Sequence, residues 1–511
     1  MANQILDLTP SGPLNLVANQ IQKAVVNTGQ LRFRGMLSLQ PTDNPPLNIR
    51  PYNAYYGIIG AFRAGYLLNI PDFTVTAWNA LDALMVDMDA NGYTHDYVWA
   101  NRQFKDGTIS ATKVLTSPTQ AQFTPADVGS QIIGTGLTGT VTISSYLSPT
   151  QVQLTGTTSV VTTPQIYDIL SFSTTGQWVT RAQNLLSTDS VPANAGMFLN
   201  ALYAGWQSTR DFARVQSFTP GVIGALTALT TTKQPNSMFV VLPDGLTNTA
   251  GLTNTATLQD QAEACAGCRA AAYLLGPRQI IPGFSDASQL AQRYADRLEG
   301  FIRTLWDYTN PGRTLSGVGM VSGSSQLTGA FVATDVGAAI STGTLGVPLG
   351  ASITAVLSGG TAVLDRPATA TNAASTVTTV VPGFRTTQNI DNVPQQTTPD
   401  WVNLNNAYAQ LWPTMWGVIE RRLATSQVNH FLATQPNFYS DTGYGGGAGE
   451  WTLQMAGRPT EALVDAVSYA NSTFNTVKAA SYGYPFTVDK AGQLVVAISA
   501  DVTGTVVAPR A

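Results

Sequence analysis

The chain has 511 residues, 44% of them hydrophobic and only 11% charged, with a formal net charge of −4. That length accommodates roughly two to four domains and can bury a large core, and the apolar content excludes a disordered polymer. Charged residues fall well below the ~25% usual in soluble domains, so Thr, Ser, Asn, Gln and Gly must cover the surface; such a surface loses less on burial against a neighbour, which points to a subunit of an assembly.

Residues 1–50 read as an N-terminal arm, with a half-buried strand expected at Gln30 to Leu39 from its period-two alternation, after which PTDNPPLNIRP breaks regular structure. Residues 51–106 form a first helical hairpin: a helix over Tyr55 to Leu68 closing near Pro71, then a helix from Thr74 to Ala90 with Trp78, Leu81, Met85 and Met88 at helical spacing. Residues 107–164 change to short β-branched runs punctuated by Gly and Pro, the pattern of small antiparallel strands. Residues 165–257 are mixed, with Asn194 to Val215 the clearest helix and Ser237 to Leu242 a buried strand. A second hairpin occupies 258–312: Leu258 to Leu275, stopped by Gly276-Pro277, and Asp286 to Tyr308, with Leu290, Tyr294, Leu298, Phe301, Ile302 and Leu305 on one face. The β-texture returns over 313–383. Residues 384–511 read as helical, with helices at Trp401 to Ser426, interrupted at Pro413, and at Thr460 to Ala480. They close with a β-hairpin over Phe486 to Val507 that turns near Lys490-Ala491-Gly492. The expected fold class is α+β: a helical-hairpin body with two inserted small antiparallel β-modules.

The chain contains an internal repeat. FTPADVGSQIIGTGL, from Phe123, aligns without a gap on FVATDVGAAISTGTL, from Phe331, 208 positions later. Asp127, Gly129, Ile143 and Leu154 correspond to Asp335, Gly337, Ile353 and Leu364, with two residues added in the second copy near Val347-Pro348. ISSYLSPTQVQL then runs parallel to ITAVLSGGTAVL, so strand, turn and strand persist while the tip changes, as a hairpin permits. Upstream, AGYLL at Ala64 to Leu68 matches AAYLL at Ala271 to Leu275 at an offset of 207, which extends the repeat to a tandem duplication of about two hundred residues.

The pattern carried by Phe123, Asp127, Val128, Gly129, Ile143 and Leu154, and again by Phe331, Asp335, Val336, Gly337, Ile353, Thr354, Val356, Leu357 and Leu364, resembles small β-modules that recur in virion proteins of tailed bacteriophages, tail and appendage proteins above all. The resemblance covers only the modules. It implies a non-enzymatic structural protein in the virion, in the tail rather than the head, whose partners are copies of itself, other virion proteins and a host surface glycan. A glycan-processing tail enzyme with a helical barrel is the alternative, and a capsid-associated or bacterial surface adhesion protein the second.

Other motifs are set against plainer readings. Asp87-Met-Asp89-Ala-Asn91-Gly92-Tyr93 matches half a calcium loop, but the twelfth position is Val98 and the ninth His95, so a helix closed by Asn91-Gly92 fits better and no metal is expected. Cys265-Ala-Gly-Cys268 has redox spacing but lies mid-helix, and the two histidines, His95 and His430, are far away; small thiols packing a helix interface are expected, with no cofactor. Gly443 to Gly449 lacks the Lys-Ser/Thr of a phosphate cradle and reads as a loop. Asp296 and Glu299 could serve glycoside hydrolysis, but beside Arg293, Arg297 and Arg303 they read as surface ion pairs. Trp401, Trp412, Trp416 and Trp451, with Tyr439 and Tyr444, crowd one region as candidates for an interface or for sugar stacking, with core packing the default. No basic run favours nucleic acid, no apolar run reaches membrane-span length, and the N-terminus lacks the pattern of a Sec leader.

Overall fold

The computed structural model describes residues 8–9, 12–27, 33–39, 48–88, 92, 94–170, 177–180, 191–231, 255–278, 280–307, 310–341, 346–348, 350–381, 383–385, 387–389, 399, 401, 404–419, 421–436, 447–467, 487–499 and 508–509. Proline opens the first three helices, α1 (Pro13–Lys23), α2 (Pro51–Leu68) and α3 (Pro71–Asp87), at the one turn where a missing N–H costs nothing. Between α1 and α2 lies the short strand β1 (Asn48–Ile49). From Pro51 to Gly65 every residue of α2 except Tyr52 is buried, so this helix runs through the centre of the body.

Seven strands follow: β2 (Tyr97–Ile109), β3 (Val114–Thr116), β4 (Gln131–Gly134), β5 (Leu137–Ser148), β6 (Gln151–Thr158), β7 (Val161–Leu170) and β8 (Gln177–Thr180). Pairing runs β2-β3-β6-β5-β4-β7 and returns from β7 to β2, which closes a six-stranded antiparallel barrel; β1 and β8 are added alongside β2. Its core is separate from that of the helices and is built from Phe104, Phe123, Ile132, Val141, Ile143, Leu154, Tyr167 and Ile169 among others. Closure depends on the length of β2 and on Gly107 within it, where a Cβ would lie 2.3 Å from the Tyr167 ring.

The chain then forms α4 (Val191–Thr209), α5 (Phe212–Ser217), α6 (Thr219–Thr231), β9 (Thr255–Thr257), α7 (Leu258–Leu275) and α8 (Ser285–Thr304). Next come β10 (Trp306–Asp307), β11 (Pro311–Met320), β12 (Gln326–Thr328), β13 (Ala339–Ile340), β14 (Ile353–Leu357), β15 (Thr361–Leu364), β16 (Asn372–Val380), β17 (Gly383–Phe384) and β18 (Thr387–Asn389). The second barrel repeats the first strand for strand in the order β13-β16-β11-β12-β15-β14, its two edges joined by a bridge between Ala339 and Ser352. The last region holds α9 (Leu404–Met415), α10 (Arg421–Thr434), α11 (Ala448–Met455), α12 (459–467) and α13 (Val488–Ile498).

This architecture corrects the expected fold class. The β-segments are not small inserts in a body of helical hairpins: the first begins at Tyr97, ten residues before the expected boundary at 107, and ends at Leu170, enough chain to close a barrel. The fold is mixed α/β with a barrel. Nor does the helical body consist of independent hairpins. Although α2 pairs with α3 and α7 with α8, one continuous core joins α1, α2, α4, α7, α9, α11 and α13.

Local expectations also change. Residues 33–39 hold a 3₁₀ turn and a single bridge from Leu37 to Val25, not a strand. The helix expected over Asn194 to Val215 breaks at Arg210, which takes a left-handed φ of 53° between α4 and α5. Pro413 sits inside α9, and the break follows from Trp416 to Ile419. The first arm and turn of the hairpin expected over Phe486 to Val507 are corrected to the helix α13, buried on every side, while Phe486 and residues 500–507 lie outside the described residues. The expected strand Ser237 to Leu242 and residues 468–480 of the expected helix lie outside the described residues.

The duplication reaches beyond the barrels. Trp99 of β2 pairs with Trp178 of β8, and Trp306 of β10 pairs with Phe384 of β17, each couple in edge-on ring contact, at 5.4 and 4.8 Å. In the body, Gly60 of α2 and Gly267 of α7 are likewise 207 positions apart, and each meets a glycine of a crossing helix. A Cβ on Gly60 would lie 2.6 Å from the Gly492 Cα of α13, and one on Gly267 2.4 Å from the Gly196 Cα of α4. The two partner helices share a pattern of their own, NAGMFLNAL from Asn194 and KAGQLVVAI from Lys490.

Candidate functional site

Each barrel carries the repeat-defining residues in one local structure. Asp127 and Asp335 sit at the third position of a short 3₁₀ turn, where each carboxylate accepts the backbone N–H that opens the turn, Thr124 N at 2.7 Å and Val332 N at 2.8 Å. A carboxylate here satisfies donors that the turn leaves unpaired. Gly129 and Gly337 follow with φ of 89° and 82°, a left-handed conformation that favours glycine. Their N–H groups reach Ile143 O and Ile353 O at 2.8 and 2.7 Å, which locks the turn to the neighbouring strand. Phe123, Ile143 and Leu154 in one barrel, and Phe331, Ile353 and Leu364 in the other, form the core beneath.

Sequence reading missed the partner of each acid. Arg102 of β2 meets Asp127 at 2.5 Å, and Arg313 of β11 meets Asp335 at 3.0 Å. Both aspartates are almost fully buried while both arginines reach solvent, so each pair closes the turn over the barrel edge. The signal was an arginine in the first strand of each module, upstream of the aligned segment: Arg102 fell in the stretch read as the first helical hairpin, and Arg313 stood at the first position of the second β-stretch.

The surroundings of the two turns differ. In the second barrel, α10 lies directly on the turn: the Ser426 hydroxyl donates to Gly337 O at 2.8 Å and the His430 ring Nδ1–H to Val336 O at 3.1 Å. Burial holds His430 well below the ordinary histidine range, at about 4, so the ring is neutral and Nδ1 carries the donated proton. In the first barrel the same turn faces outward, with Val128 44% exposed.

A second polar cluster lies in the helical body. Glu263 of α7 is fully buried, and its Oε1 accepts the Tyr56 hydroxyl at 2.6 Å, the Tyr52 hydroxyl at 2.7 Å and the Trp412 Nε1–H at 2.8 Å. Its backbone O also accepts Asn200 Nδ2 of α4 at 3.3 Å, so one residue ties α2, α4, α7 and α9. Burial, assisted by Asp260, pushes its carboxyl up to about 8 against the pull of the three donors, so the acid is largely protonated at neutral pH. Sequence reading passed over it because a single Glu among alanines carries no motif.

The remaining candidates resolve as packing. Trp401, Trp412, Trp416 and Trp451 are at most 3% exposed, and Trp416, Trp451 and Tyr56 pack on one another; this corrects the reading of these tryptophans as a sugar-stacking or interface surface. Tyr439 and Tyr444 lie outside the described residues. Glu299 is not a surface charge either: it is buried and held by Arg269 at 2.6 Å and Arg303 at 2.7 Å, while Asp296 accepts Gln292 on the outside of α8. Two guanidiniums leave no free carboxylate oxygen for general acid work. Cys265 and Cys268 are buried thiols of α7 that form no disulfide, the Cys265 thiol reaching Ala295 O of α8 at 3.4 Å, and burial pushes the Cys268 thiol up, away from thiolate chemistry.

Asp87 ends α3 and accepts the Tyr97 hydroxyl at 2.6 Å, so the helix closes before Asn91-Gly92; Asp89 and Asn91 lie outside the described residues. Of the glycine-rich stretch, 443–446 lie outside them too, and Gly447 to Gly449 open α11, where the buried Glu450 carboxylate accepts the Gly447 N–H at 2.9 Å. Among the described residues no group of His, Cys, Asp and Glu is placed to hold a metal, and no helix is long and apolar enough to cross a membrane. The chain matches no known protein-family model and no curated protein sequence.

Proposed function

We propose that this chain is a structural subunit of a tailed-phage virion, tail-associated, that assembles with copies of itself and with other virion proteins and presents its barrels towards a host surface. The observation that carries this reading is the duplicated barrel. Two modules with the same strand order, the same Arg–Asp clasp and the same glycine turn are fused to one helical core. A duplicated chain offers two similar faces at different positions, which suits an assembly whose neighbours differ in rotational symmetry. The charge-poor composition supports the reading independently, because hydroxyl and amide surfaces make wet, polar subunit contacts at low desolvation cost.

Mass spectrometry of purified particles, combined with electron microscopy of the isolated chain, tests it. Stoichiometric presence in particles and ring or fibre formation are the expected results. A monomer absent from particles would refute the assignment.

A further inference from the structure

The two turns have the same backbone and the same clasp, yet only one is covered. In the second barrel, α10 supplies two donors one helical turn apart, Ser426 to Gly337 O and His430 to Val336 O, and lies so close that a Cβ on Gly337 would stand 2.3 Å from the His430 nitrogen. In the first barrel the equivalent carbonyls, Val128 O and Gly129 O, receive no donor among the described residues. A Cβ on Gly129 would meet nothing within 4 Å. The turn nevertheless keeps an apolar Val128 at its tip, 44% exposed.

We propose that the Asp127-Val128-Gly129 turn is a docking site for an α-helix of a partner protein, seated as α10 is seated on Asp335-Val336-Gly337. The occupant is defined by what α10 provides: a Ser or Thr hydroxyl and a ring or amide N–H four residues later, both pointing at the turn, whose glycine lets the helix backbone approach. Two ready acceptors and one apolar tip complement that face. The α10 helix of a second copy is not available for this role, since none of its residues from Leu423 to Thr434 is exposed. The docking site does not depend on which particle the chain belongs to.

The test uses a synthetic peptide of residues 419–436, held helical by a hydrocarbon cross-link, added to the full chain. Hydrogen–deuterium exchange should show protection over 123–131, and fluorescence anisotropy should show saturable binding. Ser426→Ala and His430→Ala peptides should each bind about fivefold more weakly, the loss expected for one neutral hydrogen bond. Val128→Asp in the full chain should abolish binding, and the milder Val128→Thr should weaken it without disturbing the barrel. Four results overturn the proposal: no binding up to about 1 mM peptide, binding indifferent to both alanine peptides, protection only over 331–340, or a loss of self-association in Val128→Asp. The last would identify the occupant as a second copy.

Discussion

Replacing Gly267 by Ala places a methyl carbon 2.4 Å from the Gly196 Cα and 2.5 Å from its carbonyl oxygen, and Gly60→Ala places one 2.6 Å from the Gly492 Cα. Carbon atoms in good contact stand ~3.5–4.0 Å apart, so each crossing must open by about 1 Å. Neither helix pair can open into solvent, because α2, α7 and α13 are buried on nearly every side. Overpacking of this kind costs about 1–3 kcal/mol, whereas the helix preference of Ala over Gly returns about 0.8–1 kcal/mol, which leaves a net loss of up to roughly 2 kcal/mol in each variant. Gly300→Ala in α8 is the control: nothing lies within 4 Å of its Cβ position, so the preference acts alone and the protein gains up to about 1 kcal/mol. Thermal unfolding should move down by several degrees for Gly60→Ala and Gly267→Ala and slightly up for Gly300→Ala. A Gly267→Ala protein as stable as Gly300→Ala would refute the close crossing. Opposite signs for Gly60→Ala and Gly267→Ala would refute the equivalence of the α2–α13 and α7–α4 pairs.

Asp127→Ala and Asp335→Ala each remove a turn cap and the partner of a half-shielded arginine, and each should cost about 2 kcal/mol, with faster amide exchange at Thr124 and Val332 respectively. Glu263 has a folded pKa of about 8, above an unfolded value near ~4.5, so its contribution to stability is fully present below that unfolded value and is lost as pH rises through 8. Subtracting the melting profile of Glu263→Gln from that of the wild type should therefore give a difference that falls between pH 5 and 8; a flat or rising difference would contradict a protonated acid. His430 acts in the opposite sense, since its folded value of about 4 lies below the ordinary one, and the difference between wild type and His430→Asn should fall as pH drops from about 6.5 to 4. Trp451→Ala, at a fully buried position, should cost about 3–5 kcal/mol by urea titration, whereas a surface sugar platform would tolerate the change.

What the sequence disclosed was local. The Asp-Val-Gly turn could be read from it because its cap, its left-handed glycine and the strand after it all lie within twenty or so residues of one another. The barrel could not, because its closing strand β2 carries Arg102, Lys105, Asp106 and Gly107 in a row that alternates poorly, and its pairing with β7 joins residues some sixty positions apart. The α13 helix shows the same failure from the other direction. Lys490-Ala491-Gly492 followed by a β-branched run has the local chemistry of a hairpin, but Gly492 is there to let α13 cross α2 at backbone contact, and burial overrides the strand preference of Val495 and Val496. The tryptophans were conspicuous by type, yet whether a tryptophan is a platform or a core is decided by what packs on it, and here Tyr56, from a helix more than three hundred residues away, does so.

The contact between Tyr56 and Glu263 bears on why the two units share a chain. The residues are 207 positions apart, the offset that also relates Gly60 to Gly267 and Trp99 to Trp306, so they occupy equivalent places in α2 and α7, and they hydrogen-bond to each other at 2.6 Å. Two identical units meeting about a twofold axis would place like against like at such a point. A pair of tyrosines would leave one phenol O–H without an acceptor, and a pair of glutamates would force two acids to share one buried proton. Fusion removes that constraint, because each half can change without its twin. One half then supplies the phenol and the other the acid, and the same acid oxygen also accepts Tyr52, one turn before Tyr56 on α2, and Trp412 of α9. The same freedom accounts for the barrels, where one copy of the turn gained α10 as its cover and the other kept its acceptors open. Divergence after duplication has thus made the interior asymmetric where symmetry would be costly and left the exterior asymmetric where a second partner can be received.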